Sequence, residues 1–220
     1  MHKTTAVTDT LTWLQAQRFL NSPEFETAAG MFEPDFQFGG PLLLADSIHL
    51  HIRVDDVAAL PREAFFERGA ILENDRRGYV KFCFPGGVNA IFSNIPCAVT
   101  DWVESEERLL PRPRLDHLGI DLRRENDIVK HGFDHIPQRA NALGWGHVPQ
   151  GGKGRPVYCC HIQVAAKHWV YPPEAKKGLR IPLEFAFGPL KSNGSDAGCD
   201  LRPAAPGTVL DPTVIPANCC

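Results

Sequence analysis

The chain has no run of about 18 apolar residues, so no segment reads as a membrane span. Met1 to Thr5 lead into polar sequence rather than into the apolar stretch of a signal peptide. It has no excess of positive charge either. With 23 basic and 26 acidic residues, net charge -3, it lacks the concentrated basic surface that nucleic-acid binding requires. No C-x-x-C spacing occurs among Cys83, Cys97, Cys159, Cys160, Cys199, Cys219 and Cys220, which argues against a zinc knuckle; most read as reduced thiols, and Cys219-Cys220 as a frayed end. A phosphate loop is missing too, because Lys153 in Gly-Gly-Lys-Gly has neither the strand, the spacing nor the Ser/Thr of one. These exclusions leave a soluble, cytoplasmic protein, long enough at 220 residues for a sizeable core, with a small molecule as its expected partner.

Against this background one stretch stands out. In Leu115-Asp116-His117-Leu118-Gly119-Ile120-Asp121-Leu122, Leu118, Ile120 and Leu122 alternate with His117, Gly119 and Asp121. A strand here presents one apolar face and one face carrying an imidazole. Ser47-Ile48-His49-Leu50-His51-Ile52-Arg53-Val54 has the same design, with His49, His51 and Arg53 opposite the apolar set. The two align without a gap at an offset of 68 residues, His49 on His117 and Leu50 on Leu118, which suggests two copies of one supersecondary unit.

The order of elements supports the repeat. Residues 1–46 read as a helical arm, with one helix over 8–20 and a second from Pro23 to Ala29, packed on the outside of a sheet. Residues 47–101 give strand, a helix around Pro61 to Arg68, then strands Tyr79 to Phe84 and Val88 to Asn94 about a Pro85-Gly86-Gly87 turn, with Ile71-Leu72 as a further short strand. Residues 102–114, with Pro111 and Pro113, read as a linker. In 115–190 the order returns: a helix capped by Asn126 or Asp127 and kinked or split at Pro137, a turn at Gln150 to Gly154, a strand from Val157 to Ala165, an excursion over 166–180, and a last strand Ile181 to Phe187 in which Glu184 stands alone on its face. Residues 191–220 read as a loose tail.

Two βαβββ-like units, each opening on apolar-x-His-apolar-x-apolar and the second closing on Pro-Leu-Glu-Phe-Ala-Phe, resemble the vicinal oxygen chelate superfamily of glyoxalases, epimerases, drug-sequestering proteins and extradiol dioxygenases. The resemblance implies an α+β fold in which the paired units form a cup-shaped mixed β-sheet with helices outside, closed within one chain or across a homodimer. It also implies a divalent metal held by His49, His117 and Glu184. On the last strand of unit one, Asn89, Ile91 and Ser93 share the cleft face and none is a carboxylate, so the fourth ligand of glyoxalase-type sites has no counterpart. Two histidines and one carboxylate suit Fe(II) oxygen chemistry, with Mn(II), Ni(II) or Zn(II) as the other ions to weigh.

The function implied is a metal-dependent enzyme on a small oxygenated molecule, an Fe(II) ring-cleaving dioxygenase foremost. A glyoxalase- or epimerase-type isomerase or lyase and a metal-free small-molecule binding protein are the alternatives. His51 shares the face with His49, and a register shift of two would make it the ligand. His161 or His51 is the candidate acid/base, and Tyr171 or His168 a cap on substrate from the excursion. Each residue also has a structural reading: polar lining for His161, packing for Trp169 and Tyr171, a salt bridge to Arg53 or Arg180 for Glu184.

Overall fold

A computed structural model describes residues 3–32, 38, 47–76, 78–94, 112–122, 135–151, 157–159, 162–164, 166–171, 181–187 and 191–192. The proposed cap at Asn126 or Asp127, the linker over 102–111, His161, Arg180 and the tail beyond Ser192 lie outside the described residues.

Among the described residues, eight strands form one mixed sheet. In chain order they are β1 (Ser47–Arg53), β2 (Ile71–Arg76), β3 (Tyr79–Phe84), β4 (Val88–Ser93), β5 (Arg114–Leu122), β6 (Gly146–Gly151), β9 (Ala166–Tyr171) and β10 (Leu183–Phe187). Their spatial order is β2-β3-β4-β1-β5-β10-β9-β6. Each half therefore repeats one plan: its first strand runs parallel to its last, β1 beside β4 and β5 beside β10, and the two first strands meet antiparallel at the centre. The 68-residue offset is visible in the register. Leu50 and Leu118 are direct cross-strand partners, as equivalent residues on a two-fold axis between β1 and β5 must be.

Alternation decides the two faces. Ile48, Leu50, Ile52, Leu118, Ile120, Leu122, Leu183 and Phe185 are buried on one side, under the helices α1 (Lys3–Ala16), α2 (Ser22–Gly30), α3 (Arg62–Glu67) and α4 (His135–Ala142). The N-terminal arm packs into this core through Ala6, Val7, Leu11 and Leu14 of α1. Phe65 of α3 stacks on Phe82 of β3 at 4.3 Å between ring centroids. At the start of α2, Asn21 Oδ1 accepts from the Glu24 N–H and Glu24 Oε2 from the Asn21 N–H, a reciprocal cap. Glu24 Oε1 also accepts from the Leu115 N–H at 2.9 Å, which ties the arm to the central strand β5.

Several elements differ from the sequence reading. Helix α1 begins at Lys3, ahead of the 8–20 span. β2 runs six residues, its polar Glu73, Asn74 and Asp75 tolerated because it is an edge strand paired only with β3. α4 is described from His135, so Pro137 is its third described residue; residues 123–134, on which the expected kink or split depends, lie outside the described residues. Val157 to Ala165 is not one strand: β7 (Val157–Cys159) and β8 (Ile162–Val164) fold on each other, with β11 (Lys191–Ser192), as a separate three-stranded sheet. The excursion read over 166–180 opens instead with β9, which supplies the third strand of the second half. No helix among the described residues is long and apolar enough to cross a membrane.

Candidate metal centre

The face away from the helices carries polar side chains from the central strands. Register places His49 opposite Gly119 and His51 opposite His117, with Glu184 of β10 beside Gly119 on its other flank. A cross-strand histidine normally stands over its partner's side chain. Gly119 has none, and a Cβ built there would lie 1.8 Å from His49 Cε1 and 2.0 Å from Nε2. The His49 ring occupies that space and so reaches toward His117 and Glu184.

Three ligand atoms converge. His49 Nε2 and His117 Nε2 are 3.3 Å apart, His117 Nε2 and Glu184 Oε2 3.3 Å, and His49 Nε2 and Glu184 Oε2 3.8 Å. A point equidistant from the corners of such a triangle lies about 2.0 Å from each, the bond length of a transition metal to imidazole or carboxylate. His117 is fully buried, Glu184 nearly so, and Glu184 Oε2 faces the two imidazole nitrogens at 3.3 and 3.8 Å with no donor in good hydrogen-bond geometry. Leaving a buried carboxylate oxygen unsatisfied is costly, and an ion at that point would satisfy it. The donor set fits a divalent cation.

A second layer fixes His117. Between His51 and Ile52 the β1–β5 register shifts, making Asp116 the extra residue of a bulge that turns its carboxylate to this face. Asp116 Oδ2 lies 2.7 Å from His117 Nδ1 and Oδ1 accepts from Arg53 Nε at 2.8 Å. An ionised carboxylate only accepts, so Nδ1 carries the proton and Nε2 keeps its lone pair for an ion. Burial works to raise the Asp116 carboxyl, but the His117 hydrogen bond and Arg53 outweigh it and hold it well below the ordinary carboxylate range. Burial likewise depresses His117, but its contacts with Asp116 and Glu184 prevail and raise it. Asp116→Asn is expected to weaken ion binding about 10- to 100-fold, read by titration against a competing chelator.

His51 faces the same way but is engaged elsewhere. Its Nε2 is 2.7 Å from Ser93 Oγ and its Nδ1 3.7 Å from Asp116 Oδ2, and burial with the nearby His117 lowers it well below 6.5. At 3.7 Å the His51–Asp116 contact is too long for a hydrogen bond, so Ser93, His51 and Asp116 do not form a nucleophile triad. All three are buried, and Asp116 already serves His117 and Arg53. Of the competing partners for Glu184, Arg53 pairs with Asp116 and Arg180 lies outside the described residues; among the described residues the cation at Glu184 is Lys167, Nζ 2.5 Å from Oε1. Burial pushes the Glu184 carboxyl up, yet Lys167 and the two imidazoles bring it well below its ordinary value.

The repeat accounts for the number of ligands. Gly119 moved back by the 68-residue offset falls on His51, and the parallel partner of His51 in β4 is Ile91, as the parallel partner of Gly119 in β10 is Glu184. Ile91, a buried hydrocarbon, stands where a second carboxylate would complete a symmetric four-ligand set.

From β9, Lys167, Trp169 and Tyr171 share this face and are buried; the Trp169 ring meets His117 edge-on at 4.9 Å. His168 points to the helix side with Phe185 and Val170, so it is not a cap on the site. Its Nδ1 is 2.7 Å from His147 Nε2, with the rings stacked, a pair that sequence reading missed because β9 reads as loop. Burial and His147 lower His168 from 6.5 to about 4. Between these values the unfolded chain binds a proton that the folded chain refuses, so stability falls as pH drops through that window, by about 3 kcal/mol at pH 4. Urea unfolding at pH 7 and pH 4 should show that loss reduced in His168→Gln.

No family model matches the chain. No curated protein matches it either. Among solved structures it is similar to methylmalonyl-CoA epimerase from Mycobacterium tuberculosis, with 13% identity and a TM-score of 0.39 over 67% of this chain and 91% of that one. It is also similar to homoprotocatechuate 2,3-dioxygenase from Brevibacterium fuscum, solved as an anaerobic complex with 3,4-dihydroxyphenylacetate, at 14% identity and a TM-score of 0.36 over 65% of this chain and 37% of that one. The Arthrobacter globiformis enzyme gives 13% and 0.35 over 65% and 37%. The chain spans little more than a third of the length of the dioxygenase chains, and overlap of this extent assigns no reaction.

Proposed function

We propose that the protein is a metal-dependent enzyme acting on a small oxygenated molecule, with Fe(II)-dependent extradiol-type ring cleavage as its reaction. The observation that carries the reading is the triangle of His49 Nε2, His117 Nε2 and Glu184 Oε2, with Ile91 in the place of a fourth ligand. A divalent ion held by these three keeps open coordination positions, and as Fe(II) it supplies both Lewis-acid charge and redox electrons there. His49 and His117 contribute neutral nitrogen donors, and Glu184 one anionic oxygen. Asp116 keeps the His117 proton on Nδ1, and Arg53 keeps Asp116 ionised. Trp169, edge-on to His117, covers that side of the set against water.

The acid/base role falls less readily to His51, whose Nε2 already meets Ser93, than to His161, which lies outside the described residues, or to Tyr171 on the site face. The test is oxygen uptake. Fe(II)-loaded protein given simple catechols under air should consume oxygen and form a coloured ring-opened product in equal amounts. Proton exchange next to a carbonyl without oxygen uptake would move the reading to the isomerase class, and tight binding of flat ligands by metal-free protein to a binding role.

A further inference from the structure

Lys167 is a buried cation that the ligand set does not itself require. It lies on β9 next to β10, 1% exposed, with Nζ 2.5 Å from Glu184 Oε1 and 5.7 Å from the centre of the Trp169 ring. Glu184 therefore has its two oxygens assigned to different tasks: Oε1 meets the ammonium and Oε2 faces both imidazoles. An ammonium this close holds Oε1 toward itself and so disfavours turning both oxygens toward one ion.

Charge follows the same division. Among the described residues, each carboxylate in contact with the set lies against a cation, Asp116 against Arg53 and Glu184 against Lys167. The imidazoles that bind an ion do so in their neutral form. Arg53 and Lys167 offset part of the carboxylate charge, so less of the ion's double charge is cancelled by the groups around it. Asp121, further along the site face of β5, is exposed by 7% and accepts from the Ser47 hydroxyl.

Resting on the metal-centre reading above, we propose that Lys167 is a positioning residue that confines Glu184 to one-oxygen coordination and offsets its charge, so that the bound ion retains an open position and the charge to draw an anionic chelating ligand. The residue acts through Glu184 and touches no reacting atom. It is distinct from a lysine that merely fills space, because its loss changes how the ion is held and what the ion attracts.

The experiment compares Co(II)-loaded wild type, Lys167→Met and Lys167→Gln, with oxalate as the anionic probe and folding checked by circular dichroism. Wild type should bind one Co(II) and then oxalate. Lys167→Met should bind Co(II) as tightly or more tightly, change its visible absorption as Oε1 joins the ion, and bind oxalate about tenfold more weakly or worse. Lys167→Gln still donates a hydrogen bond to Oε1 but has no charge, so it should keep the wild-type spectrum and lose oxalate affinity. Unchanged oxalate affinity in both variants overturns the proposal while leaving the metal centre standing. Failure of wild type to bind Co(II) overturns the metal reading and the proposal with it. Should neither variant fold, a crystal structure of zinc-loaded wild type decides: Glu184 Oε1 on Lys167 supports the proposal, and both oxygens on zinc overturn it.

Discussion

Gly119→Ala should cost the protein its ion while leaving every ligand in the sequence. The added methyl would lie 1.8 to 2.4 Å from three atoms of the His49 imidazole, well inside van der Waals contact, so ring and methyl cannot share the space. The strand has little room to yield, because Gly119 is flanked by His49 of β1 on one side and Glu184 of β10 on the other. The ring is the part that moves, and it swings away from His117 Nε2. A set of three becomes a set of two. Ion affinity should fall at least 100-fold, comparable with loss of a ligand, and overpacking should lower stability by about 1–3 kcal/mol. Titration with Zn(II) and urea unfolding read the two effects separately.

Glu184→Ala has the second large effect, and it has two parts. Removing Oε2 leaves two imidazoles, and bound metal should drop to background. Removing Oε1 withdraws the carboxylate that faces the buried Lys167 ammonium at 2.5 Å, and breaking a buried ion pair from one side costs about 3–5 kcal/mol. Sequence alone suggests only the first part. Combining Glu184→Ala with Lys167→Met should recover much of the stability and none of the metal, because the ammonium leaves with the carboxylate while the ligand stays absent. Recovery of metal in the double variant would show that Glu184 is not a ligand.

How much of this was legible in the sequence depends on which faces of a strand are buried. β1, β5 and β10 alternate apolar and polar residues, and from that pattern the two faces can be read, while the grouping of His49, His117 and Glu184 as one set is what the family resemblance implies. β9 cannot be read this way. Lys167, Trp169 and Tyr171 are buried on the site face and His168 and Val170 on the helix face, so polar and apolar residues fall on both sides and the period of two disappears. With it went Lys167, the partner of Glu184. The hairpin β7–β8 misleads in the opposite sense: both arms carry strand-forming residues, and the sequence between them, Cys160-His161, has no glycine or proline to mark a reversal. The bulge at Asp116 is equally silent, since its effect arises only from the register of β1 against β5. The role of Gly119 was in plain view as a missing side chain but became meaningful only with His49 opposite it.

The most direct measurement is elemental analysis of protein purified anaerobically without a histidine tag, set beside Glu184→Gln prepared in the same way. The geometry predicts close to one divalent ion per chain in the wild type, iron on the proposed reaction, and almost none in the variant. Wild-type protein that contains no metal and takes up none when offered Fe(II), Mn(II), Ni(II) or Zn(II), or a variant that keeps its full complement, would contradict it.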